Sequence, residues 1–266
     1  MSKKRKKQSF SKRLRSMYRV DSRRMLHTPL LYVMLGIALV MPILILVMTN
    51  MAGGMTVTDP NTGAETTMAA FANTWQVIAS PSDSMTMGMD MTAMLGINLI
   101  YFMAGVFVCL FTAADFRSGY AKNLFTVRAR KTDDVASKTV CGFLAGALML
   151  IAFFVGTILG GKFAGLSFTL GSAGPFGLVC CMLAKIFLMA VFVAIFLLMS
   201  VIGKQKGWMS ILLSLFAGML LFMMIPMMTP LDSGAGNVGM CLVGGAIFAA
   251  ALGAVSNMIL KRTSLV

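Results

Sequence analysis

The chain has 266 residues, 58% of them hydrophobic and only 12% charged, with a formal net charge of +14. Ordinary soluble domains run near 45–50% apolar and about 25% charged residues, so a water-soluble globule is excluded and lipid is the solvent for most of this chain. Basicity of this degree points to nucleic acid in a soluble protein; here the placement of the charges between apolar runs accounts for it, and no nucleic-acid partner is needed.

Residues 1–28 form a basic head, with Lys3, Lys4, Arg5, Lys6, Lys7, Lys12, Arg13, Arg15, Arg19, Arg23 and Arg24 against one acid, Asp21. The charged stretch is longer than that of a secretory signal and no small-residue cleavage site follows the apolar run, so the head is expected to be retained. Phe10, Leu14, Met17 and Tyr18 fall at i, i+4, i+7 and i+8, which predicts an amphipathic helix lying on the membrane over anionic lipid headgroups.

A first span is predicted over 30–48, opened by Pro29 at a first-turn position and kinked at Pro42. Residues 51–90 contain no lysine or arginine, only Asp59, Glu65, Asp83 and Asp90. They read as an irregular loop whose short apolar piece near 68–78 places Trp75 at the lipid interface. Further spans follow over 91–113, 139–159, 178–202, 209–228 and 238–260. Between them lie a charged segment at 114–138, a glycine-rich loop with Lys162 and the linker GKQKGWM with Lys204 and Lys206. Lys261 and Arg262 follow the last span. The predicted fold class is an all-α membrane protein: a basic interfacial segment (1–28) and a six-helix transmembrane domain (29–266). Alternate loops hold nearly all the lysine and arginine, so both termini are placed in the cytoplasm.

The segment 114–138 is the one dense set of charges between spans. Tyr120, Leu124 and Val127 fall at i, i+4 and i+7, a narrow apolar stripe suited to docking a soluble partner. Other motifs have bland explanations. GTILGGKF at 156–163 nearly spells a phosphate-binding loop, but Phe163 replaces the hydroxyl residue that would hold magnesium and no strand precedes it. Gly142 and Gly146, Gly156 and Gly160, and Gly245, Ala249 and Gly253 have the four-residue spacing that lets helices approach closely in lipid. Met85, Met87, Met89 and Met91 form a run of soft thioethers that suits Cu(I), although 27 methionines are spread through the whole chain. Lys185 stands within an apolar run, a pathway or subunit-interface candidate unless it snorkels to the outer interface; Asn98 and Asn257 are weaker candidates of the same kind. Cys109, Cys141, Cys180, Cys181 and Cys241 read as small buried hydrophobes, and His27 has no catalytic partner. No hydrolase, metalloprotease or intramembrane-protease motif is present, so no enzymatic activity and no resident metal or cofactor is expected.

Taken together, the layout resembles the ABC-2 type (type V) transporter permease family over essentially the whole chain. In that family the loop between spans two and three carries an acid, a glycine about four residues on, an apolar-polar helix, a Pro/Ser-Arg stretch and a lysine opening span three. Asp115, Gly119, the run Tyr120–Leu124, Arg128–Arg130 and Lys138 stand at matching positions, with Asp for the usual Glu and no proline near Val127. The resemblance implies a transport subunit without its own nucleotide site. A separate cytoplasmic ABC ATPase would hold ATP and magnesium, and a second permease subunit would complete the pathway. The coupling surface it implies comprises Asp115, Arg117, Gly119, Tyr120, Asn123, Leu124, Val127, Arg128 and Arg130. Tyr120, Leu124 and Val127 would fill a groove in the ATPase, and Arg117, Arg128 and Arg130 would pair with its acids. The cargo implied is amphipathic or peptide-like, including antimicrobial peptides, in a bacterial cytoplasmic membrane. Two alternatives of other classes stand beside it: a non-transporting membrane scaffold, and a copper-handling protein using the methionine run.

Overall fold

The computed structural model describes residues 10–53, 56–58, 65–67, 71, 73–78, 96–120, 131–170, 174–203, 206–222, 225 and 228–262. Helices α1 (Phe10–His27), α2 (Pro29–Ala52), α3 (Asn98–Arg117), α4 (Lys131–Ala164), α5 (Gly174–Ile202), α6 (Gly207–Phe222) and α7 (Ala235–Arg262) form the body. Strands β1 (Thr56–Thr58) and β2 (Glu65–Thr67) make a small antiparallel hairpin in the loop after α2. Among the described residues five helices, α2, α3, α4, α5 and α7, are long and apolar enough to cross a membrane; α6 is apolar but shorter. The chain is thus a multi-pass, essentially all-helical membrane protein.

Local chemistry sets the helix boundaries. Pro29 denies Thr28 a helical conformation, and Thr28 is extended at φ −83°, ψ 118°. The chain therefore breaks between α1 and α2 at one residue. Gly119, at φ +71° just past α3, takes the left-handed conformation that commonly ends a helix and strains any other side chain. At 34 residues, α4 is about 51 Å long, against a hydrocarbon core of about 30 Å. Its first turns therefore extend past the apolar zone, and the helix that carries the span predicted over 139–159 begins within the charged segment.

Both described chain ends sit at one end of the bundle. Arg13 Nε bonds Asp133 at 2.9 Å and Lys131 Nζ bonds the Leu260 carbonyl at 2.5 Å. At the opposite end Asn50 Nδ2 reaches the Ala164 carbonyl at 2.9 Å. There a 3₁₀ turn (Thr74–Val77) tucks against the loop after α4: Trp75 Nε1 donates to the Phe168 carbonyl at 3.2 Å, and the two rings meet edge to face. Trp75 is therefore buried in protein and does not stand at a lipid interface. Its indole N–H needs an acceptor, and a carbonyl in the loop after α4 supplies one.

The glycine spacing on α4 does serve close packing, toward two partners. A Cβ on Gly142 or Gly146 would run into Val193 and Met189 of α5, whereas one on Gly156 or Gly160 would run into the α2 backbone at Leu39 and Ile43. On α7, a Cβ at Gly245 would meet the Phe187 carbonyl. GTILGGKF lies wholly within α4, so its backbone N–H groups are committed to helix bonds and cannot cradle phosphate. All five cysteines are free and buried.

The amphipathic head is a helix, but its inner face differs from the one expected. Met17, Asp21 and Met25 are its buried residues and Phe10 is exposed; α1 packs chiefly on α4. The apolar stripe is spent on protein, with an acid at its centre.

Candidate functional site

An acid placed four residues from Met17 and four from Met25 falls on the same helix face as both. That register drives Asp21 into the bundle, where it is fully buried. Burying a carboxylate is costly unless hydrogen bonds and counter-charges compensate, and the surrounding elements provide both. Ser137 of α4 donates its hydroxyl to Asp21 Oδ2 at 2.5 Å, and Arg24, one turn further along α1, holds Asp21 Oδ1 at 3.9 Å. Arg24 also donates to Asp115 at the end of α3. Its guanidinium lies 4.0 Å from the centre of the Tyr120 ring, a cation–π contact just beyond the Gly119 turn. From α4, Lys138 reaches Asp134 at 3.0 Å and Asp115 at 3.3 Å, with its ammonium 5.2 Å from the Phe116 ring centre. Arg13 adds the outer bond to Asp133.

The inner cluster sets three carboxylates (Asp21, Asp115 and Asp134) against two cations (Arg24 and Lys138). Burial pushes the Asp21 carboxyl up from 3.8 to about 6; the Ser137 hydrogen bond opposes the shift and the Asp134 charge adds to it. The folded state therefore holds a proton on Asp21 that the unfolded chain has released between these values. Stability from this group is present at low pH and falls as pH rises from about 4 to about 6. Melting of the purified protein across that window is expected to show this loss in wild type and to lack it in Asp21→Asn. An identical pH profile in the variant would refute the assignment.

The cluster clamps α1 to both helices that bracket residues 121–130. Of the predicted coupling residues, Asp115, Arg117, Gly119 and Tyr120 are described; Asn123, Leu124, Val127, Arg128 and Arg130 lie outside the described residues. Asp115 is buried and engaged by Arg24 and Lys138, so its part is internal and it offers no contact surface to a partner. Arg117 is exposed, Gly119 forms the turn, and one face of Tyr120 is taken by Arg24. The segment 114–138 is therefore not one long loop: residues 114–117 complete α3 and 131–138 open α4. Spacing alone assigns no role to Asp21, Arg24, Asp133, Asp134 or Ser137. The signal in the sequence is Asp21 itself, the head's one acid, in register with Met17 and Met25.

Lys185 does not snorkel. It is fully buried in α5, its ammonium donates to Thr229 Oγ1 at 2.9 Å, and Tyr101 of α3 donates to its backbone carbonyl at 2.9 Å. Ile225, Thr229 and Ser233, between α6 and α7, are buried as well. Asn98 opens α3 at the end opposite α1, and Asn257 lies near the end of α7. From Cys241, beside the Thr229 segment, Asn257 is about 24 Å further along the helix. Asn257 therefore stands apart from Lys185, whereas Asn98 lies one turn of α3 from Tyr101, the residue that bonds the Lys185 carbonyl. The run Met85, Met87, Met89 and Met91 lies outside the described residues, and among those described no group of His, Cys, Asp or Glu is arranged to hold a metal ion.

Comparison of the chain with protein-family models, with characterised proteins and with solved structures finds no match.

Proposed function

We propose that this chain is the permease subunit of an ATP-binding-cassette exporter in a bacterial cytoplasmic membrane. It crosses six times, with α6 as the fifth span and both termini cytoplasmic. A separate ABC ATPase docks on residues 117–130, a second permease subunit completes the pathway, and the cargo is amphipathic or peptide-like. ATP and magnesium belong to the partner.

One observation carries this reading: the buried ionic cluster ties α1, the end of α3 and the start of α4 into one unit around residues 121–130. A lever needs a stiff root. Force applied to a segment rooted in ion-paired, buried helix ends is delivered to α3 and α4 as rigid-body tilt and is not lost in local bending. A scaffold has no requirement for such coupling. The positive-inside bias supports the orientation, since the end of the bundle bearing α1, Arg117, Lys131 and Lys206 is the basic one.

The test is purification of the tagged full chain in mild detergent with identification of what accompanies it. A soluble ATPase at near-stoichiometric level is expected, and the double substitution Leu124→Asp, Val127→Asp should release it with the spans still folded, because the apolar anchors of an interface carry most of its binding energy. An ATPase retained by that variant would remove the docking site. Its clean absence from the wild-type preparation would remove the exporter reading.

A further inference from the structure

With Met17, Asp21 and Met25 turned into the bundle, the opposite side of α1 needs its own account. At 3.6 residues per turn, Lys12, Arg15, Arg19 and Arg23 fall within an arc of roughly 80°, about half a turn from Asp21. All four are exposed, and none makes an ion pair among the described residues. A merely solvated helix face usually interleaves both signs of charge. Here the helix's one acid is on the buried side, so the outer stripe carries four cations and no acid, with the exposed Leu26 beside them. The sequence before α1 adds Lys3, Lys4, Arg5, Lys6 and Lys7.

The position of α1 selects the partner. Only Thr28 separates it from α2, so the stripe is held at the level where α2 enters lipid. Its inner face packs on the first turns of α4, the turns that extend beyond the apolar zone. A helix resting against the flank of those turns directs its far side away from the bundle, toward the surrounding headgroups.

We propose that the Lys12, Arg15, Arg19 and Arg23 stripe is a binding surface for anionic phospholipid headgroups, with α1 held edge-on between the lipid and the ionic cluster. This differs from insertion of an apolar face: the buried apolar residues Met17 and Met25 contact protein, and the cations carry the contact with lipid. Each cation near an anionic leaflet strengthens binding severalfold. The proposal is independent of the exporter reading, because it concerns lipid alone.

The experiment is native mass spectrometry of the purified full chain titrated with phosphatidylglycerol and, separately, phosphatidylcholine of the same acyl chains. Wild type is expected to prefer phosphatidylglycerol by about tenfold or more. The variant Lys12→Gln, Arg15→Gln, Arg19→Gln, Arg23→Gln should bring that lipid down to the phosphatidylcholine level while leaving the melting temperature in place. If the fourfold variant fails to fold, Arg15→Gln with Arg19→Gln should show a partial loss, and Arg15→Lys with Arg19→Lys should restore binding. An equal affinity for the two lipids in wild type, or an undiminished phosphatidylglycerol preference in the neutral variants, would overturn the proposal. So would a loss confined to a co-purifying acidic protein.

Discussion

Replacing Lys138 with methionine is expected to destabilise the folded protein by about 3–5 kcal/mol, among the largest effects of any single substitution at the cluster. Lys138 is 3% exposed and serves Asp134 and Asp115 together. Its loss leaves two buried carboxylates facing each other and Asp21, with Arg24 as the remaining inner cation. The methylene stem is preserved in methionine, so packing is not what changes. Combining Lys138→Met with Asp134→Asn and Asp115→Asn should recover much of the loss, because the penalty lies in uncompensated charge and not in the absence of an ion pair. Thermal unfolding of the detergent-purified proteins distinguishes these cases. A single variant as stable as wild type, or a triple variant worse than the single one, would mean that the cluster is not what holds α1 to α3 and α4.

Gly156→Ala is expected to cost about 3 kcal/mol, the upper part of the range for overpacking a close contact. The added Cβ would lie 2.1 Å from the Leu39 carbonyl oxygen and 2.7 Å from Pro42 Cγ. Backbone and a proline ring cannot swing aside as a side chain end can, so α2 as a whole must move off α4. The control is on the other helix: a Cβ at Gly36 of α2 meets nothing within 4 Å, and Gly36→Ala should be neutral to within about 1 kcal/mol. Cysteine cross-linking between α2 and α4, read beside the melting temperature, reports the separation directly. Unchanged stability and cross-linking in Gly156→Ala would contradict this α2–α4 interface.

Much of the architecture was legible because lipid imposes a simple rule. A stretch without water must satisfy its own backbone, so long apolar runs become helices. Pro29 marked one boundary for a reason internal to the residue. The glycine pairs of α4 announced close contacts, though not that Gly146 faces α5 while Gly156 faces α2; four-residue spacing specifies a face and leaves the partner open. Lys185 shows where one-dimensional reading stopped. Its depth depended on where the fourth span began, and α5 starts at Gly174, early enough to carry the lysine into the bundle.

The sequence by itself determined that this is a multi-pass helical membrane protein with a basic head and a charged central segment. Composition and hydropathy are sums over residues and survive ignorance of contacts. Only the tertiary structure decided that the head's apolar face rests on α4, that Asp115 is internal, and that Asp21, Arg24, Asp134, Ser137 and Lys138 meet. Those residues lie as much as 117 positions apart in the chain. The Arg24–Asp21 and Lys138–Asp134 pairs have helical i,i+3 and i,i+4 spacing. The bonds of Ser137 to Asp21 and of Arg24 and Lys138 to Asp115, however, depend on the relative placement of three helices, and no local period or spacing encodes that.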